Sequence, residues 1–161
     1  VKVEDTPTLT RVRMLEKLHT FNSNRILEFR LQLISSSDLP ITEEGAAWGS
    51  LPEWGNSDEN LAIMHRFVEN PNTPPNARLT GMRFLVFSEK LKAMPVIRDN
   101  LLLMLKSDNM EEVYAALAGI LEFDVRDALP QILKLRDRND LTQPVMQKIA
   151  TALEKFQSRN T

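Results

Sequence analysis

Apolar positions recur every three or four residues through most of the chain, the period of an amphipathic helix. Near the start, Val12, Leu15 and Leu18 are spaced by three, with Thr8 or Thr10 placed to cap and Asn22-Ser23-Asn24 placed to break the helix. Residues 26–34 carry two patterns at once. Leu27, Phe29, Leu31 and Leu33 alternate with Glu28, Arg30 and Gln32, the period of a strand, yet leucine, glutamate, arginine and glutamine are good helix formers. No convincing partner strand occurs elsewhere, so a helix is predicted here. Residues 36–57 form a long connection rich in Ser, Gly and Pro. Ser57 then opens a helix with Leu61, Met64, Phe67 and Val68 on one side, and the prolines and asparagines of 70–76 end it.

From Arg78 onward five apolar stripes follow. The first runs through Leu79, Met82, Leu85 and Val86, and its FLVF run (84–87) predicts a central position. The second has Ile97, Leu101, Met104 and Leu105. The third has Met110, Val113, Tyr114, Leu117 and Leu121. The fourth has Leu129, Ile132 and Leu133. The last has Val145, Met146, Ile149, Ala152, Leu153 and Phe156. Asn109 and Glu112 have capping-box spacing, Thr142 precedes Pro144, and Asp127 is placed to cap a helix with Pro130 in its first turn. Leu117 and Leu133 are both expected to be core, so that truncating either to Ala costs about 2–5 kcal/mol.

The stretch from Met94 to Leu153 also repeats. Met94-Pro95 recurs as Leu129-Pro130, and Val113-x-x-Ala116-Leu117 has a looser echo in the segment from Val145 to Leu153. The AALAGILEFDVRDALPQILKLRDRND segment (115–140) has an Ala-rich helix, a short acidic turn, a helix opening Ala-Leu-Pro and an Asp-containing turn. This resembles the HEAT family, in particular the short repeats of phycobilisome-lyase-like proteins, over about the C-terminal half. The resemblance implies an all-α fold: a right-handed α-α superhelix of HEAT-like helical hairpins with an additional N-terminal helical segment. The expected layout is one domain over 1–161, comprising N-terminal helices (1–35), a long acidic loop (36–57) and helical repeats (58–161).

Composition narrows the chemistry. The chain has 161 residues, a formal net charge of −2 and no cysteine, which removes disulfides, thiolate nucleophiles and Cys-based zinc sites. No apolar run reaches the roughly 18–20 residues that span a bilayer. The chain begins with Val1 rather than Met, as expected of a processed or excised part of a longer protein. The compartment stays open between cytoplasm and bacterial periplasm, and the oligomeric state is not indicated.

His19 and His65 lack companions at metal-ligand spacing, although His65 and Glu69 are i,i+4 and can form one weak pair. No nucleophile turn, P-loop or dinucleotide fingerprint occurs. Neither catalysis nor a cofactor is therefore expected.

Charge is segregated. Residues 31–65 carry six acids, Glu43, Glu44 and Glu53 among them, and no Lys or Arg, whereas 66–106 carry seven basic residues against three acids. Trp48 and Trp54 lie in the acidic loop, where they either anchor it to the helices or form an exposed hot spot for a partner. Lys92, Arg98, Lys134 and Arg138 are the candidates for a basic face. Cations at a helix end also serve the helix dipole without any ligand. The expected function is a non-catalytic protein–protein interaction module, with Trp48, Trp54, Glu43, Glu44 and Glu53 as its candidate contact residues. A pigment-handling lyase, as the resemblance allows, and a nucleic-acid-binding helical repeat are the alternatives. The basic excess over 78–161 is small, 13 residues against 11, so nucleic acid is the weaker expectation.

Overall fold

The computed structural model describes Leu27, Glu28, Leu31 and residues 57–158. All the regular structure among these residues is helical. The elements are α1 (Asp58–Glu69), α2 (Pro75–Met104), α3 (Met110–Phe123), a 3-10 turn (Arg126–Ala128), α4 (Leu129–Leu135) and α5 (Gln143–Gln157). Two compact units divide the chain, Val1–Lys90 and Leu91–Thr161, and the boundary falls inside α2. The first predicted helix and the 36–57 connection lie outside the described residues.

In the first unit, Leu27, Glu28 and Leu31 are helical, which settles the ambiguous period in favour of helix at those positions. Leu27 and Leu31, four apart, are buried while Glu28 is exposed, as one helical face requires. Ser57 caps α1 as expected, its Oγ accepting the Asn60 N–H at 3.2 Å. Past Glu69, Asn70 turns the chain, and its Oδ1 accepts the Asn72 N–H at 3.0 Å. Pro75 opens α2 where its missing N–H costs nothing, and the Pro74 carbonyl accepts the first helical bond, from Arg78, at 2.9 Å.

Two residues lock α1 to α2. Arg78 is 2% exposed, and its Nε donates to the Val68 carbonyl at 3.0 Å. That carbonyl is in the last turn of α1, where no helical donor reaches it and a cation suits the dipole. Gly81 supplies the close approach: a Cβ there would stand 2.8 Å from Val68 Cγ2 and 3.2 Å from Phe67 Cδ1.

α2 is continuous by its hydrogen bonds but not by its dihedrals. Glu89, at φ −149° and ψ 51°, leaves the helical region and kinks the element between its two expected stripes. Pro95 lies in the second half, where it withholds one rung from the Leu91 carbonyl. Met94-Pro95 and Leu129-Pro130 therefore differ in setting, since Pro130 sits in the first turn of α4. No cap or turn residue separates 89 from 95, so the chain stays helical up to Met104.

The second unit is built by α3, α4 and α5 with residues 91–104 of α2. α5 packs on both α3 and α4. Its core includes Ile97, Leu101, Leu117, Ile132, Ile149 and Phe156, all 3% exposed or less. The Asn109 Oδ1 caps α3 by accepting the Glu111 N–H at 2.9 Å. α3 ends at Asp124, whose φ of 55° and ψ of 44° place it in the left-handed region. The Val125 N–H then closes on the Ile120 carbonyl at 3.0 Å, as at many helix C-termini.

Three expectations need correction. Asp127 does not cap α4: it lies within the 3-10 turn, and Ala128 occupies the cap position without a side-chain bond. The FLVF run is only half central, because Phe84 and Leu85 are buried while Phe87 is 77% exposed. Leu133 is half-buried, and the inner face of α4 is Ile132 with Leu135.

Candidate functional site

The acidic-loop candidates Trp48, Trp54, Glu43, Glu44 and Glu53 lie outside the described residues, as does His19. His65 does not pair with Glu69. Its Nε2 meets Glu89 Oε1 at 2.6 Å, with both side chains largely buried. Glu89 is also the non-helical residue of α2, so its side chain turns back to α1 at the point where its backbone leaves the helix. Among the described residues no group of three or more His, Asp or Glu is placed to hold a metal ion.

The four candidates for a basic face are placed differently. Lys92 is exposed on α2. Arg98 is committed to carboxylates: it donates to Asp99 Oδ1 at 2.9–3.0 Å and stands 3.7 Å from Asp127. Lys134 and Arg138 come together in a cleft of about 420 Å³, lined also by Leu105, Lys106, Gln131 and Leu135. Residues 131, 134, 135 and 138 follow helical spacing, so one side of α4 and its following turn faces the C-terminal end of α2.

Arg138 is the keystone of this cleft. Its Nε and Nη2 grip both Asp140 oxygens, at 2.9 and 2.5 Å, and its Nη1 donates to the Ser107 carbonyl at 2.9 Å. The loop after α2 is thereby tied to the turn after α4. The Arg138 hydrogen bond holds the Asp140 carboxyl below the usual carboxylate range, and the reciprocal bond raises the guanidinium. Lys106 and Lys134 are different, being exposed and having no carboxylate partner among the described residues. Gln131 Oε1 is buried and without a hydrogen-bond partner.

An equivalent clasp closes the far end of the unit. Lys155 Nζ donates to the Leu121 carbonyl at 2.5 Å and stands 3.5 Å from Asp124 Oδ1, joining α5 to the end of α3. Arg126 Nε donates to Asp124 Oδ2 at 3.2 Å, and this bond, with Lys155, lowers the Asp124 carboxyl.

Sequence reasoning passed over one surface. Leu91, Pro95, Asp99 and Leu103 form an i, i+4 row on α2, and all four are exposed, Leu91 at 92% and Leu103 at 63%. The pattern was present in the sequence, but the inner stripe of Ile97, Leu101 and Met104 accounts for the helix by itself. No helix among the described residues is long and apolar enough to cross a membrane. Compared with family models, with characterised proteins and with solved structures, the chain finds no match.

Proposed function

We propose that this chain is a non-catalytic protein-interaction module, its C-terminal helices stacked in HEAT-like pairs, and that the outer row of α2 is part of its docking surface. The exposed row of Leu91, Pro95 and Leu103 carries this reading. Singly exposed leucines are ordinary on protein surfaces. Apolar side chains aligned on one ridge of a helix are a different matter, because a partner that covers them removes their area from water together, at roughly 1.5–3 kcal/mol per fully buried leucine. Asp99, in the middle of the row, supplies a polar contact that fixes register.

A photo-crosslinking residue at position 91, compared with one at Glu111 on α3, tests the reading in a lysate. The expected result is a discrete adduct at 91 that disappears when Leu103→Asp is added. An adduct of twice the chain mass identifies a second copy as the partner. A crosslinking pattern at 91 matching that at 111, or one indifferent to Leu103→Asp, overturns the reading.

A further inference from the structure

We infer that the outer face of α2 docks onto a second copy of this chain, with the two helices antiparallel across a two-fold axis near Val96. The inference rests on the docking reading and names its partner.

The outer face is wider than its leucine row. At about 100° per residue, Leu91, Lys92, Pro95, Asp99, Leu102 and Leu103 fall on the side opposite the buried Ala93, Ile97, Leu101 and Met104. Leu102 is half-buried and the others are exposed. Lys92 and Asp99 lie on one flank of this face, Leu91 and Leu102 on the other.

Charge decides which partner fits. Lys92 has no carboxylate partner among the described residues. Asp99 is held only by its neighbour Arg98, whose two bonds both end on Oδ1, at 3.0 and 2.9 Å, so that no described donor takes Oδ2. A parallel pair of such faces sets lysine against lysine and aspartate against aspartate. Reversal about Val96 brings the copy's Lys92 level with position 100, one residue's rise or about 1.5 Å from Asp99. The same operation brings the copy's Leu91 level with position 101, beside Leu102. A two-fold axis normal to the helix keeps each flank against itself, and it makes each of these contacts twice. The face therefore carries both halves of its own contact, a base for its acid and a leucine for its leucine. An unrelated protein would have to supply that match independently.

The size of the face sets the strength. From Leu91 to Leu103 it is about 18 Å long, a single helix ridge. One ridge buries less than the roughly 1,200 Å² of a stable interface, so the dimer is weak and forms with rising concentration.

Sedimentation equilibrium of the full chain, from micromolar to millimolar protein, tests this. A monomer–dimer equilibrium is expected. Lys92→Asp and Asp99→Lys should each weaken it by roughly tenfold or more, because each sets like charges together twice. An equimolar mixture of the two variants should dimerise again, which shows that both are folded. The double exchange Lys92→Asp/Asp99→Lys restores opposite signs within one chain and should return the dimer to near its original strength. Single exchanges without effect, or a double exchange no better than the singles, overturn the inference. So does a chain that is monomeric throughout. If position 91 then still crosslinks to a discrete protein of another mass, the docking reading stands with a different partner; if it does not, both fall.

Discussion

Gly81→Ala sets helix propensity against packing, and the structure predicts which wins. In an exposed helix the change would stabilise by about 0.8–1.0 kcal/mol. Here the new methyl would stand 2.8 Å from Val68 Cγ2, 3.2 Å from Phe67 Cδ1 and 3.5 Å from Met64 Cε. Methionine yields easily, but Val68 is 0% exposed and β-branched, with one strongly preferred rotamer in a helix. Overpacking of this kind costs about 1–3 kcal/mol, which leaves a net destabilisation of roughly 0–2 kcal/mol. Val68→Ala alone should cost about 1.5–3 kcal/mol. In that background the space once filled by Cγ2 accepts the alanine methyl, so Gly81→Ala should now stabilise by about 1 kcal/mol. The double-mutant cycle should therefore show a favourable coupling of about 1–3 kcal/mol. Urea melts of the four proteins, followed by far-UV circular dichroism, measure it. If Gly81→Ala stabilised both backgrounds equally, the close approach of α1 and α2 at this glycine would be refuted.

Leu117→Ala should cost about 2–5 kcal/mol in the same assay, and Leu133→Ala clearly less, since Leu117 is fully buried and Leu133 is not. Equal losses would show that Leu133 belongs to the core. Arg78→Met should destabilise by roughly 1–3 kcal/mol by leaving the Val68 carbonyl without the guanidinium, and amide exchange should quicken in the last turn of α1. Unchanged exchange there would argue against a capping role. Asp124 and Asp140 have carboxyls lowered from 3.8 by their arginine partners, so their stabilising contribution is complete above that value and is lost as pH falls through the lower folded values. Thermal melts of Asp124→Asn/Asp140→Asn should therefore lie below wild type at neutral pH and converge with it in strong acid. A gap independent of pH would contradict the pairing.

How much of this was legible in the sequence depends on which force set each feature. α1, α3 and α5 were readable because apolar period and cap positions agree: Ser57 and Asn109 both accept a first-turn N–H, although Asn109 takes that of Glu111 rather than the Glu112 of a capping box, and Thr142 holds the cap position of α5 without a side-chain bond. α4 was misread in phase. The inner stripe of α4 and the turn before it runs Val125, Ala128, Ile132 and Leu135, spaced three, four and three, and the small Ala128 drew less notice than Leu129 and Leu133. Placing the cap at Asp127 followed from the same wrong phase. The Glu89 kink is beyond local reading, because Glu89 is a good helix former and its partner is His65, 24 residues away. The cleft was half visible. Lys134 and Arg138 were noted as helix-end cations, but Lys106 and Gln131 join them only through tertiary packing. That Arg138 is neutralised and Lys134 is not depends on Asp140 geometry that a sum of charges does not contain.

Asp124 bears on how this sequence can vary. It is the one non-glycine with positive φ among the described residues, and a Cβ in that region is tolerated best by aspartate and asparagine. A saturation library at position 124, selected for protease resistance, would return glycine, asparagine and aspartate and reject valine and isoleucine. Aspartate has the further merit of reaching both Arg126 and Lys155, which glycine cannot do. Substitutions at 124 and 155 should therefore be found together: once glycine takes the turn, the lysine of α5 keeps only the Leu121 carbonyl, and its identity is less constrained.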